Sequence, residues 1–332
     1  MSIAATVGIP VITGVPACIH DGFVALENVK ADQTFLLYLL KASEPRLREA
    51  GQSGSQMNVN SDIVRGLEIQ VPRRVEEQRR IATALWDADD LIASLQRLLA
   101  KKRAIKQGLM QELLTGRTRL HGFNHEWAPV TLGAVGTTYG GLVGKSGKDF
   151  GHGRGRFVTF VEVMRDARLR GVELARVDVK RSERQNEVRL GDVLFNGSSE
   201  TPDEVALAAA VEFDEPGVLL NSFCFGYRLS RFDVIDPLFL AYFFRATPGR
   251  DLIVSLAQGS TRYNIAKTKL VRTVIVLPKI AEQQAIAAVL RGADTEIEAL
   301  ERLLDATRAI KQGMMQELLT GRTRLLPSEA SV

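Results

Sequence analysis

Sixteen residues occur twice in this chain. Ile105–Leu120 reads IKQGLMQELLTGRTRL and Ile310–Leu325 reads IKQGMMQELLTGRTRL, differing only at Leu109 against Met314. Carried backward at the same offset of 205, residues 76–120 align with 281–325 without a gap, 29 of 45 being identical. A repeat of this kind constrains the fold more than any local propensity, because both copies must form the same element. Within them Ile81, Leu85, Ala88, Ile92, Leu95 and Leu99 step by 4, 3, 4, 3, 4. Ile286, Leu290, Ala293, Ile297, Leu300 and Leu304 repeat the steps. That is the apolar seam of two helices lying side by side. Pro72 and Pro278 precede each helix, and Gly116 and Gly321 follow the last apolar pairs as stops. Gly108 and Gly313 inside the pattern predict a close backbone approach. About 38 residues at ~1.5 Å per residue make a rod of roughly 57 Å. A plain dimerisation coiled coil would fit the seam. Two copies in one chain, each after a β-rich segment, make pairing with each other simpler.

Between the helices, Arg156–Val163, Val193–Asn196, Val218–Leu220, Phe223–Leu229 and Val271–Leu277 read as strands. Pro237–Arg245 reads as a helix with Asp236 as N-cap. The N-terminal segment echoes the second half of this domain. Leu36–Leu40 resembles Leu240–Phe244, Asp21–Phe23 resembles Asn221–Phe223, and Asn58-Val59 and Ile69–Pro72 resemble Asn264-Ile265 and Ile275–Pro278. Met1 then aligns near Phe195, and Ala4-Ala5-Thr6 falls at the end of a strand. The first repeat lacks counterparts for 69 positions, about residues 126–194. The expectation is a truncated gene, a late start or a fragment, about 401 residues if restored. The expected layout is a partial domain over 1–75, a helix over 76–120, a complete domain over 121–280, a second helix over 281–326 and a tail over 327–332. The expected fold class is α+β, with mixed α/β domains joined by two long antiparallel helices.

Little of the sequence suits catalysis. Gly140–Ser146 resembles a phosphate loop, but it is one residue short of G-x-x-x-x-G-K-[ST] and opens no apolar helix. His121 and His125 stand four apart with Gly122 and Asn124 between them, which suits a linker better than a metal pair. No G-x-S-x-G elbow is present, and Cys18 and Cys224 are single, so no metal site, disulfide framework or nucleophile is expected. No span or signal peptide is expected either, and an intracellular, reduced, cytoplasmic setting is the default. The net charge of +4 hides opposed blocks. Residues 140–189 carry 12 basic against 7 acidic side chains, 190–236 carry 2 against 9, and 237–275 carry 6 against 1. If the basic stretches meet, they form a face for a polyanion; the bland reading is solvated loop charge. Lys145, Ser146, Lys148, Arg154 and Arg156 sit in loop-like sequence, with Gly140 and Gly141 expected to let the backbone approach a phosphate. Ser260, Thr261, Arg262 and Tyr263 add donors, a guanidinium able to read guanine, and an aromatic ring.

These residues are where a family resemblance appears. The E-Q-x-x-I-A helix starts (Glu77-Gln78 with Ile81-Ala82, Glu282-Gln283 with Ile286-Ala287) and the K-Q-G-[LM]-M-Q-E-L-L-T-G ends resemble the specificity subunit of type I restriction–modification systems. Gly122, Glu126-Trp127, Leu132-Gly133, Tyr139–Gly141, Gly144–Ser146 and Asp149–Gly151 are similar to the opening of that family's target-recognition domain. The turn Gly259–Asn264, and loosely Gly54–Asn58, is similar to one preceding its final strand. The resemblance implies two recognition domains on an antiparallel helix pair, each reading half of a split double-stranded DNA target. It implies methyltransferase subunits on the helices and restriction subunits outside them, with S-adenosylmethionine, ATP and Mg held by those partners and no cofactor here. This chain departs from the pattern in having one and a half recognition domains. A coiled-coil assembly factor, which occupies methyltransferase subunits without directing them, stays open. So does a nucleotide-dependent enzyme, the weakest of the three readings.

Overall fold

The structure is a computed structural model that describes residues 1–3, 8–51, 59–171, 173–259 and 261–325. Ala4–Thr6, Gly54–Asn58, Ser260 and the expected tail lie outside them. The chain divides into two units, one of residues 1–101 with 297–332 and one of residues 102–296.

In the first unit α1 covers Gln33–Ala42, α2 Glu44–Ala50 and α3 Ser61–Arg65, and α4 begins at Val75 and runs to Leu113. Asp32 caps α1 by accepting from the Phe35 backbone N–H at 3.0 Å. Phe35, Tyr38 and Leu39 on one face of α1 pack with Ile81, Ala82 and Leu85 of α4 and with Leu318 and Leu319. Further along, Leu95 and Leu99 meet Ile297 and Leu304, with Ile92 and Leu300 half-buried beside them. The predicted seam is therefore real but divided: Ile81 and Leu85 pack against α1, and only the later positions form a two-helix seam. Among the described residues this unit has no strand, only an isolated bridge between Ser2 and Phe23.

The second unit carries the mixed domain. Its strands are β1 Ala128–Thr131, β2 Gly136–Gly140, β3 Phe150–Val158, β4 Arg168–Leu169, β5 Ala175–Val177, β6 Val193–Asn196, β7 Ser198–Ser199, β8 Ala208–Val211, β9 Val218–Leu220, β10 Cys224–Leu229, β11 Tyr263–Asn264 and β12 Val274–Leu277. Short helices α5 Leu132–Val135 and α6 Phe160–Arg165 intervene, and α7 Pro237–Arg245, α8 Thr247–Leu256 and α9 Lys267–Val271 follow. The last helix, α10, runs from Ile280 to Leu318. The main sheet has order β2-β10-β6-β8-β4, and a second has order β5-β3-β9. Every residue of β6 and β8 is buried, as expected of strands covered on both faces. The run Ala208–Ala210 is small enough for the aromatic face of α7 to sit closely on the sheet. The Phe195 ring stacks on Phe225 at 5.1 Å and meets Phe244 edge-on at 5.4 Å. Ile286, Ala287 and Leu290 of α10 and Leu113 and Leu114 of α4 close this core.

Several expectations are corrected locally. Phe160–Val163 is helical rather than extended, because Thr159 caps α6 by accepting from the Glu162 N–H at 3.2 Å. Val271 belongs to α9, so the last strand begins only at Val274. A Cβ on Gly108 or Gly313 would meet no atom within 4 Å, so neither glycine marks a close approach. Pro237–Arg245 is helical at the predicted bounds, with Asp236 accepting from the Phe239 N–H at 2.8 Å.

The duplication extends into polar contacts that no periodicity could announce. In the first unit Gln78 accepts from the Asp32 N–H, Arg324 grips Glu77, and Asp89 accepts from both Tyr38 and Lys311. In the second unit Gln283 accepts from the Asp236 N–H, Arg119 grips Glu282, and Asp294 takes Tyr242 and Lys106. Each unit thus has a carboxylate that ties the domain helix (α1 or α7) to both long helices. The contacts Asp89–Lys311 and Lys102–Glu296 also fix the two long helices as antiparallel.

Candidate nucleic-acid interface

The two basic stretches do meet, on either side of the turn that leads into β10. On one side, β2 pairs with β10 so that Gly140 stands opposite Phe225. A Cβ on Gly141 would stand 2.0 Å from the Asn221 carbonyl oxygen. Packing within the protein by itself requires glycine there. The loop that follows is pinned from outside. Gln185 accepts from the Val143 N–H at 3.0 Å and donates to its carbonyl at 2.9 Å, while Asn186 donates to the Gly140 carbonyl at 3.0 Å.

On the other side, Gln258 and Asn264 exchange backbone hydrogen bonds at 2.9 and 2.8 Å and close a turn that presents Thr261 and Arg262 to solvent. Gly259 at φ +127 makes this possible, since a Cβ there would strike the Arg262 carbonyl at 2.1 Å. Tyr263 is half-buried in β11, opposite Ser199 of β7. The Arg262 guanidinium lies 5.5 Å from the ring centroid of Phe223, which is 57% exposed. Lys267 Nζ lies 3.4 Å from where a Cβ on Gly140 would stand, joining the two sides. Sequence reasoning missed Phe223 and Lys267. The echo of Phe23 by Phe223 and the basic balance of 237–275 were the available hints.

The other expected contacts separate into free and engaged groups. Lys148 and Arg154 are exposed and, with Arg262 and Lys267, form no ion pair among the described residues. No contact places Arg154 beside the Arg262 turn. Lys145 is paired with Glu183 at 2.5 Å with its side chain 4% exposed, so its charge anchors the loop. The Lys145 ammonium in turn holds the Glu183 carboxyl below its ordinary range. Arg156 pairs with Glu215. Ser146 donates its N–H and hydroxyl to Asp149 at 2.7 and 2.8 Å, which depresses the Asp149 pKa, the backbone bond first. Ser260 lies outside the described residues.

The arrangement is poorly suited to phosphate hydrolysis. The P-loop-like segment leads into a three-residue 3-10 turn, Gly147–Asp149, and a helix N-terminus to cradle a phosphate is missing. His121 and His125 fall in the turn and loop after α4. Among the described residues no group of His, Cys, Asp and Glu could hold a metal, and no helix is long and apolar enough to cross a membrane. Cys224 is buried and Cys18 exposed, both free.

Two repeats are built on an antiparallel helix pair, and the second bears exposed cationic and aromatic side chains. The family model for the type I restriction modification DNA specificity domain matches residues 1–102. The chain is 24% identical to the type I restriction enzyme MjaVIII specificity subunit of Methanocaldococcus jannaschii, over 95% of this chain and 76% of that protein. Its fold matches the type I restriction–modification S subunit from M. genitalium at a TM-score of 0.54, with 14% identity over 87% of this chain and 73% of that one. A chain from a structure of the assembly of a type I system matches at 0.53, with 18% identity over 87% and 71%. These matches liken the chain, over nearly its whole length, to type I restriction–modification specificity subunits.

Proposed function

We propose that this chain is the DNA-recognition subunit of a type I restriction–modification complex and has no catalytic activity of its own. The observation that carries this reading is the exposed Arg262 guanidinium beside the exposed Phe223 ring, with Lys267 reaching Gly140 of β2, on backbone held in place by engaged neighbours. Free cations supply phosphate contacts, while a guanidinium held on a closed turn can address a base edge. The paired long helices offer the surface on which methyltransferase subunits dock, with restriction subunits outside them. S-adenosylmethionine, ATP and Mg belong to those partners, and the setting is the cytoplasm. The second unit reads one half of a bipartite target.

The face makes a quantitative demand. Each phosphate contact releases counterions, so Lys267→Ala should weaken binding to all duplex sequences alike and lower the slope of log K against log salt by about one. Fluorescence anisotropy over a salt series, with the chain in complex with its methyltransferase, measures it. An unchanged slope removes Lys267 from the interface.

A second reading is favoured by the absence of strands among the described residues of the first unit. The chain then occupies methyltransferase subunits without directing them, and methylation would show no sequence preference.

A further inference from the structure

The segment between β6 and β8, residues 197–207, is held as firmly as the Arg262 turn beside it. Asn196, at the end of β6, is fully buried and commits its whole amide to this segment. It donates to the Ser198 and Glu204 carbonyls at 3.2 and 2.8 Å and accepts from the Leu207 N–H at 2.6 Å. Arg250 of α8 donates to the Pro202, Val205 and Ala206 carbonyls. Ala206 takes φ +53, which a residue with a side chain adopts where its surroundings impose it. Nearer β7, the Ser199 hydroxyl accepts from the Thr201 N–H at 3.4 Å and donates to the Glu204 carboxylate at 3.2 Å. Between Ser199 and Thr201 stands Glu200, which is exposed.

Strand register places Glu200 relative to Arg262. β7 and β11 pair antiparallel, Ser198 opposite Asn264 and Ser199 opposite Tyr263. One step further along the same ribbon, Glu200 and Arg262 stand on opposite strands at one end. The Gly197 backbone joins this ribbon to the aromatic platform, donating to the Phe223 carbonyl at 2.7 Å and accepting from the Ile265 N–H at 3.3 Å. Residues facing each other across such a pair have Cβ atoms ~5 Å apart, near enough for their charges to meet. Yet neither Glu200 nor Arg262 forms an ion pair among the described residues, and both are exposed.

A carboxylate at this place opposes phosphate contacts, because like charges repel. Its chemistry fits a base edge instead. In the major groove a G·C pair offers two acceptors on guanine and an amino donor on cytosine, which a guanidinium and a carboxylate complement in turn. We propose that Glu200 is a specificity-determining residue. It accepts from a cytosine amino group while Arg262 donates to guanine in the same or the adjoining base pair. This inference rests on the DNA-recognition reading above and adds to it a second base contact of opposite charge.

The test is selection from a randomised duplex pool by the full chain in complex with its methyltransferase, for the unaltered chain, Glu200→Ala and Glu200→Gln. The unaltered chain should choose cytosine at a position no more than one base-pair step from the one that Arg262→Ala relaxes. Glu200→Ala should lose that choice by roughly five- to a hundredfold, the usual discrimination of a good base contact. Glu200→Gln should turn it toward adenine, whose edge a glutamine amide matches. Binding to an unselected duplex should hold or rise in both variants, since a negative charge leaves the face. A residue that merely supported the loop would weaken every sequence alike, and that outcome overturns the proposal. So does an unchanged choice in Glu200→Ala, or a loss of choice at a position remote from that of Arg262. These three results leave the DNA-recognition reading standing, whereas an unaltered chain that selects no sequence overturns both.

Discussion

Asp294→Ala should destabilise the second unit by about 3–5 kcal/mol, the usual cost of removing one partner from a buried charge pair. The Asp294 side chain is 4% exposed, and it accepts from the Tyr242 hydroxyl while pairing with Lys106. Tyr242 is fully buried, and burial, followed by the Asp294 charge, pushes its hydroxyl far above the ordinary tyrosine range. Removing the carboxylate leaves a hydroxyl and an ammonium unmatched at the point where α7, α10 and α4 converge. Thermal unfolding of the full chain should shift down on the order of 10 °C. The counterpart Asp89→Ala should cost less, because its side chain is 38% exposed and water can replace it. Burial opposes the Asp89 charge, but Lys311 and Tyr38 outweigh it and hold that carboxyl below its usual range. A Tm shift below about 2 °C for Asp294→Ala, or a larger one for Asp89→Ala, would contradict this ranking.

The second large effect concerns Arg262. It is exposed, unpaired among the described residues, and carried on a turn closed by the Gln258–Asn264 pair over Phe223. If it addresses a base edge, Arg262→Ala should cost about 1–3 kcal/mol, or roughly 5–150-fold, on the preferred sequence and little elsewhere. If it touches only phosphate, all sequences should weaken alike. The closed turn and the Phe223 platform restrict the guanidinium more than a phosphate contact requires, so loss of preference is the expected result. Competition binding against a randomised duplex pool distinguishes the two. Unchanged binding would remove Arg262 from the interface.

What was legible in the sequence followed from repetition and short-range chemistry. Two copies of one pattern gave two 39-residue helices, and an Asp before an apolar 3–4 pattern gave α7 at its bounds. Misreadings arose where a short capping bond overrode composition. Phe160–Val163 has strand-like residues, yet one hydroxyl on Thr159 turns it into a helix. The site was legible as a region but not as a list of contacts. Whether a lysine is free depends on partners brought in by the fold: Glu183 comes to Lys145 and Glu215 to Arg156 from distant segments. The Tyr–Asp–Lys clusters were hidden for the same reason, Asp89 and Lys311 being 222 positions apart.

The central claim is that this chain chooses the DNA sequence. It is tested most directly by expressing the chain with a type I methyltransferase subunit in a host free of adenine methylation, then mapping methyladenine across the genome. The account predicts methylation at one defined sequence, absent without the chain and relaxed at one position by Arg262→Ala. Methylation scattered without sequence preference, or the same pattern with and without the chain, would contradict it.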